Sequence, residues 1–142
     1  MDEKSKSEMN SYYTGLLEKH GSTPQSLGIG YQDNYQQREK FVLLEKFSDL
    51  EKDCNSSILD LGCGLGYLGE FYRLRGWKGK YTGIDINEGM VETAKKRMPN
   101  DNFLLMDIVH YGLIFTRKMK KMPSENKKKL ILSLLFNILE NE

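Results

Sequence analysis

A chain of 142 residues with 39% hydrophobic side chains is one domain's worth and can supply a core, which excludes an intrinsically disordered composition. Its 21 basic and 20 acidic side chains leave a formal charge of +1, so no global field steers it to nucleic acid or to an anionic membrane. The polar, charged start Met-Asp-Glu-Lys-Ser-Lys-Ser-Glu has no apolar stretch behind it and reads as neither a signal nor a transit peptide, so a cytoplasmic location is expected.

Residues 1–10 are expected to be a frayed tail. Residues 11–20 read as a short helix on Tyr12, Tyr13, Leu16 and Leu17 that Gly21 ends. Thr23 and Pro24 suit the N-cap and first position of a second short turn. After a flexible Gly-Ile-Gly-Tyr loop at 28–31, Phe41, Leu44 and Phe47, with Leu43 and Leu50, keep the helical period. They predict a long amphipathic helix over 33–50 with a polar exit at 51–56. The two cysteines, Cys54 and Cys63, fit neither a CxxC redox pair nor a zinc knuckle, and both read as reduced and structural; no metal site is expected.

The stretch 57–70, Ser-Ile-Leu-Asp-Leu-Gly-Cys-Gly-Leu-Gly-Tyr-Leu-Gly-Glu, organises the rest of the chain. Ile58, Leu59 and Leu61 around Asp60 read as a short buried strand. Gly62, Gly64 and Gly66 then allow a sharp turn in which a ligand can approach main-chain N–H groups. A helix is predicted over 67–75, with Leu68, Phe71, Tyr72 and Leu74 apolar and Gly76 as its stop. Residues 80–86 read as a second strand. Asn87 is placed to cap a helix in which Met90, Val91, Ala94 and Met98 share a face, Glu92 and Lys96 pair at i,i+4, and Pro99 closes the segment. A third strand is predicted over 102–106, ending on Asp107. Strands alternating with helices predict an α/β fold with a parallel sheet.

Beyond Ile108 the pattern changes. A fourth strand fits 109–116, but 117–129 carries seven basic residues against the single acid Glu125 and reads as solvated loop. Residues 130–139 read as an apolar helix, docked or interfacial, well short of the roughly 20 residues that span a bilayer. The chain thus divides into a tail with short helices at 1–32, a core at 33–108 and an atypical segment at 109–142.

Asp60, Asp85 and Asp107 each stand at the end of a predicted strand, and in a parallel α/β sheet those ends open on one crevice. Any one of them reads equally as a helix cap or a loop acid; with the glycines, the three point to a nucleotide-like ligand. The Gly64-Leu-Gly-Tyr-Leu-Gly69 run matches GxGxxG, and Asp85 follows it, so a nicotinamide dinucleotide is one reading. Asp60, however, would repel a pyrophosphate at the first turn. An ammonium near Asp60, a ribose diol on Asp85 and an exocyclic amine on Asp107 describe S-adenosylmethionine instead.

The run Ile-Leu-Asp-Leu-Gly-Cys-Gly-Leu-Gly at 58–66 resembles motif I of the class I S-adenosylmethionine-dependent methyltransferases. Residues 81–98 resemble their second strand and helix, and Phe-Leu-Leu-Met-Asp at 103–107 their third strand, so the resemblance covers roughly 50–110. It implies a Rossmann-like fold, S-adenosyl-L-methionine as cofactor, and methyl transfer. By resemblance, Gly62, Cys63, Gly64 and Gly66 pass under the methionine part, Asp85 holds the ribose hydroxyls, Asp107 meets the adenine amino group, and Ile86 and Ile108 pack on the adenine. The segment ahead of motif I is expected over the cofactor, with Tyr31 and Arg38 on the methionine moiety and Arg38 pairing with its carboxylate. No general base is nominated; His20 and His110 are the residues that titrate near neutrality.

The family continues with a fourth strand on a Phe-Asp-x-Val pattern and three more strands. No such pattern follows Ile108, and the 35 residues after Asp107 compare with the 30 or so that one βαβ unit takes. The expectation is a sheet incomplete after the third strand, in a truncated or frame-interrupted member acting on an unknown methyl acceptor. The alternatives are a non-catalytic S-adenosylmethionine-binding remnant and an NAD(P)-binding module. An exposed sheet edge is expected to favour self-association.

Overall fold

The computed structural model describes residues 3–28, 33–48 and 54–107. Strands β1 (Ile58–Leu61), β2 (Tyr81–Asp85) and β3 (Asn102–Leu105) form a parallel sheet in the order β1-β2-β3. Ile58 lies opposite Tyr81, Asp60 opposite Gly83, Gly83 opposite Phe103 and Asp85 opposite Leu105. Because side chains alternate along a strand, Ile58, Asp60, Tyr81, Gly83, Asp85 and Phe103 share one face. The connecting helices, Tyr67–Leu74 and Glu88–Arg97, pack on that face.

The first connecting helix forms because Leu68 and Tyr72, four residues apart, lie on one stripe that buries against Tyr81, Met98 and Phe103. Each large side chain so buried contributes about 1.5–3 kcal/mol. Gly69 on the same stripe lets helix and sheet close up, since a Cβ there would stand 2.8 Å from Met98 Cε and 2.9 Å from Tyr81 Cε2. Leu74 departs from expectation and is 84% exposed, because it lies roughly 200° round the helix from Tyr72. Trp77, just past the helix, is buried in its place against Tyr72 and donates from Nε1 to the Ser56 carbonyl at 3.0 Å.

Ahead of the sheet, two longer helices span Glu3–His20 and Asp33–Ser48. In chain order the helices are α1 (Glu3–His20), α2 (Asp33–Ser48), α3 (Tyr67–Leu74) and α4 (Glu88–Arg97), with a 3-10 turn at Pro24–Leu27. Helix α2 docks on α3 through Phe41 and Leu44, the Tyr72 hydroxyl donating to the Phe41 carbonyl at 3.1 Å and Arg75 reaching Glu45 at 2.8 Å. Leu43 turns away from that contact and is exposed.

Some local expectations are corrected. The frayed tail expected over 1–10 is helical from Glu3, with Lys6 and Asn10 tied to the sheet's far end. Thr23 stands at the N-cap of the Pro24–Leu27 turn, but its hydroxyl donates back to the His20 carbonyl at 3.0 Å instead of capping forward. Glu92 pairs with Lys95 at 3.0 Å rather than with Lys96. Cys63 is a buried free thiol as expected, whereas Cys54 is free and exposed rather than part of the core. The loop at 29–32, the side chain of Phe47, Leu50, and the strand, basic loop and closing helix expected after 107 lie outside the described residues. No described helix is long and apolar enough to cross a membrane.

Candidate functional site at the strand ends

The turn between β1 and α3 is built on left-handed backbone at Gly62, Gly64 and Gly66, with φ of 77°, 50° and 77°. A side chain at Gly64 would be strained in φ and would come within 2.6 Å of Leu27 Cδ2. The turn's amides are spent within the protein. Gly62 and Cys63 donate to the Ile84 carbonyl at 2.8 and 3.0 Å, Gly66 donates to the Cys63 carbonyl at 2.8 Å, and Gly64 donates to Asp85 Oδ2 at 2.8 Å. The expectation that these N–H groups are presented to a ligand is therefore corrected at these four positions. The Cys63 side chain points inward, where Gly83 leaves room for it beside Phe103; burial pushes its thiol pKa far up, so it is no thiolate nucleophile.

Asp85 closes β2 and sits at the centre of the site. Its second oxygen accepts from the Asn87 amide at 2.9 Å, so one carboxylate joins the glycine turn to the start of α4. Burial raises its pKa from the ordinary value, and the amides of Asn87, Gly64 and Ile86 pull the other way. Ile86 follows it in the short link to α4, half-buried.

Asp60 is placed differently from the sequence expectation. It is the third residue of β1 and opposite Gly83, so it sits about 6–7 Å below Asp85 along the strand direction. It is 6% exposed and accepts a hydrogen bond from the buried Tyr81 hydroxyl. It therefore supports the turn from beneath rather than lining an open crevice. Burial and the Asp60 charge hold the Tyr81 hydroxyl protonated.

Asp107, two residues past β3, pairs with Lys6 Nζ of α1 at 2.6 Å. Helix α1 thus lies at the same end of the sheet as Asp85, pinned further by Asn87, whose Nδ2 donates to Asn10 Oδ1 at 2.6 Å and to Thr14 Oγ1 at 2.9 Å. Asn87 Oδ1 meanwhile accepts from the Met90 amide at 2.9 Å as the N-cap of α4.

Asp85 and Asp107 with the glycine turn are thus brought together at one end, and Asp60 is buried under them. Arg38 is exposed and lines a groove with Val42, Leu43, Phe71 and Arg75 between α2 and α3. That groove lies alongside the later turns of α3, whereas the glycine turn is at the helix's start. Tyr31 and Ile108 lie outside the described residues, as does His110. His20 ends α1 and accepts from Thr23 through its carbonyl.

The model of the methyltransferase domain matches residues 58–139, more than half of the chain. The chain belongs to the methyltransferase-domain family. The match begins on β1 and runs through the segment after Ile108, past the 50–110 over which the individual motifs are legible. Among relatives of this methyltransferase-domain chain, a malonyl-[acyl-carrier protein] O-methyltransferase of Ilyobacter polytropus is 36% identical over 92 residues, covering 61% of this chain and 34% of the relative. One of Hamiltonella defensa is 35% identical over 74 residues, covering 52% and 27%. A putative methyltransferase of Mycobacterium tuberculosis is 51% identical over 41 residues, covering 29% and 25%. The chain spans about a quarter to a third of the length of these methyltransferases.

Lys6, Asn10, Thr14 and Leu27 are the residues of this end that sequence reasoning missed. Lys6 and Asn10 sit in a polar run that carries no apolar period, so only Asn87, legible as a cap, marked the place where α1 docks.

Proposed function

We propose that this methyltransferase-domain chain binds S-adenosyl-L-methionine at the carboxyl ends of β1–β3 and serves methyl transfer to an acceptor. When bound, the cofactor supplies an activated sulfonium methyl. The reading is carried by one observation: within the family-matched region, Asp85 bridges the glycine turn and the start of α4, with Asp107 at the same end of the sheet. In this reading Asp85 orients the ribose diol, since its oxygens retain lone-pair capacity beyond the backbone amides they already hold. Asp107 accepts from the adenine amino group, Gly64 keeps the floor under the methionine part free of a side chain, Gly66 gives the turn its left-handed backbone against Phe103 and Met98, and Ile86 provides apolar cover for the adenine. Tyr31 and Ile108 remain the proposed contacts from the flanking segments, whereas Arg38 sits in the groove between α2 and α3, away from the glycine turn. The dinucleotide alternative is disfavoured because the Gly64 and Gly66 amides of the GxGxxG run are donated internally.

Calorimetry with S-adenosylhomocysteine tests the proposal, with NAD as the control ligand. Wild-type chain is expected to bind the former and not the latter. Asp85→Ala is expected to weaken binding by tenfold or more, since hydrogen bonds to a charged group are worth about 1.5–3 kcal/mol each. Wild-type affinity in a folded Asp85→Ala protein removes Asp85 from the site, and tighter binding of NAD removes the methyltransferase reading. Turnover with candidate acceptors separates an active enzyme from a binding-only chain.

A further inference from the structure

We infer that α1 and the 3-10 turn after it form a cap that occupies the cofactor site from within and has to be lifted for the cofactor to enter. This deepens the reading above and rests on it. The two ends of the proposed site are each taken by a residue of this segment. At the adenine end, the Lys6 ammonium is 2.6 Å from Asp107 Oδ2, which is the acceptor the adenine amino group requires, and Lys6 is also held by Glu3 at 2.9 Å. At the methionine end, Leu27 Cδ2 fills the space over Gly64 that the absence of a side chain creates. Between them, Asn10 and Thr14 are tied to Asn87, and Leu17 Cδ2 lies 2.9 Å from where a Cβ on Gly89 would stand.

The cap is built to come off. None of the 18 residues of α1 is fully buried; it is held by the polar contacts of Lys6, Asn10 and Thr14 together with half-buried Leu17 beside Gly89. Elements with few buried apolar contacts open at low free-energy cost. A site competent only when the cap is open binds with an apparent dissociation constant raised by the inverse of the open fraction.

Lys6→Met tests this, because methionine keeps most of the length of the side chain and removes the pairing charge. If the cap is closed about ten to one, Lys6→Met is expected to bind S-adenosylhomocysteine severalfold to tenfold more tightly than wild type. Lys6→Arg, which preserves the pair, is expected to stay within twofold of wild type. Raising ionic strength is expected to tighten binding to wild type, by screening the Lys6–Asp107 attraction, and to leave Lys6→Met unchanged. Leu27→Ala provides the independent arm at the other end and is expected to tighten binding as well. Equal or weaker binding by both Lys6→Met and Leu27→Ala, beside a wild type that binds, overturns the cap and leaves the cofactor reading standing. No binding by any of the four proteins overturns the cofactor reading and the cap with it.

Discussion

Asp85 shows how one side chain serves both folding and the proposed chemistry. Its oxygens hold the amides of Gly64 and Asn87, while burial makes its charged form costly enough to raise its pKa. A carboxyl whose pKa is higher folded than unfolded binds protons more tightly in the native state. Its contribution to stability therefore falls as pH rises from the ordinary value of 3.8 through the raised one. Thermal unfolding of wild type and Asp85→Asn across the acid range is expected to show the wild type losing ground to the variant as pH climbs through that window; parallel curves would refute the shift. Asp60 makes a different point. Its place in the motif marks it as important, but burial beneath the turn and the bond from the Tyr81 hydroxyl make it a support for the turn. Tyr81→Phe removes that donor from the buried carboxylate, an expected loss of about 1–3 kcal/mol. Urea unfolding measures it, and a difference below a few tenths would mean that another group already satisfies Asp60.

Helices α3 and α4 were legible because each carries an apolar stripe and a recognisable end: Leu68 and Tyr72 with Gly76, and Met90, Val91 and Ala94 with Asn87. Helix α1 was only half legible because its first two turns dock through Lys6 and Asn10, whose partners Asp107 and Asn87 lie far along the chain. Asn87 therefore has two separable roles. Asn87→Asp keeps an oxygen to cap α4 but loses the Nδ2 donor to Asn10 and Thr14, so hydrogen exchange across 3–20 is expected to quicken while α4 keeps its protection. Asn87→Ala is expected to lose the cap as well, at a cost of about 1 kcal/mol in stability. Unchanged exchange of α1 in Asn87→Asp would show that its other contacts suffice.

For the molecule as a whole, β1 and β3 each pair with β2 alone among the described residues, which leaves the outer side of β1 without a described strand neighbour. Edges of this kind pair with other chains unless covered, so light scattering at rising concentration is expected to show self-association; a monomer throughout would show the edge covered. The order of strands and helices, the parallel sheet, the glycine turn and the carboxylates at 85 and 107 were determined by the sequence itself. These depend on local conformational preference and on periods of two and 3.6 residues, which neighbouring residues express without knowledge of the fold. What only the tertiary structure decided was which groups spend their hydrogen-bonding capacity on each other. Gly64 meets Asp85, Tyr81 meets Asp60, Lys6 meets Asp107, and Leu27 covers Gly64. Such pairings join residues 21 to 101 positions apart, or 37 for Leu27 and Gly64. They depend on where packing of the sheet and helices leaves each side chain, and no spacing along the chain encodes that.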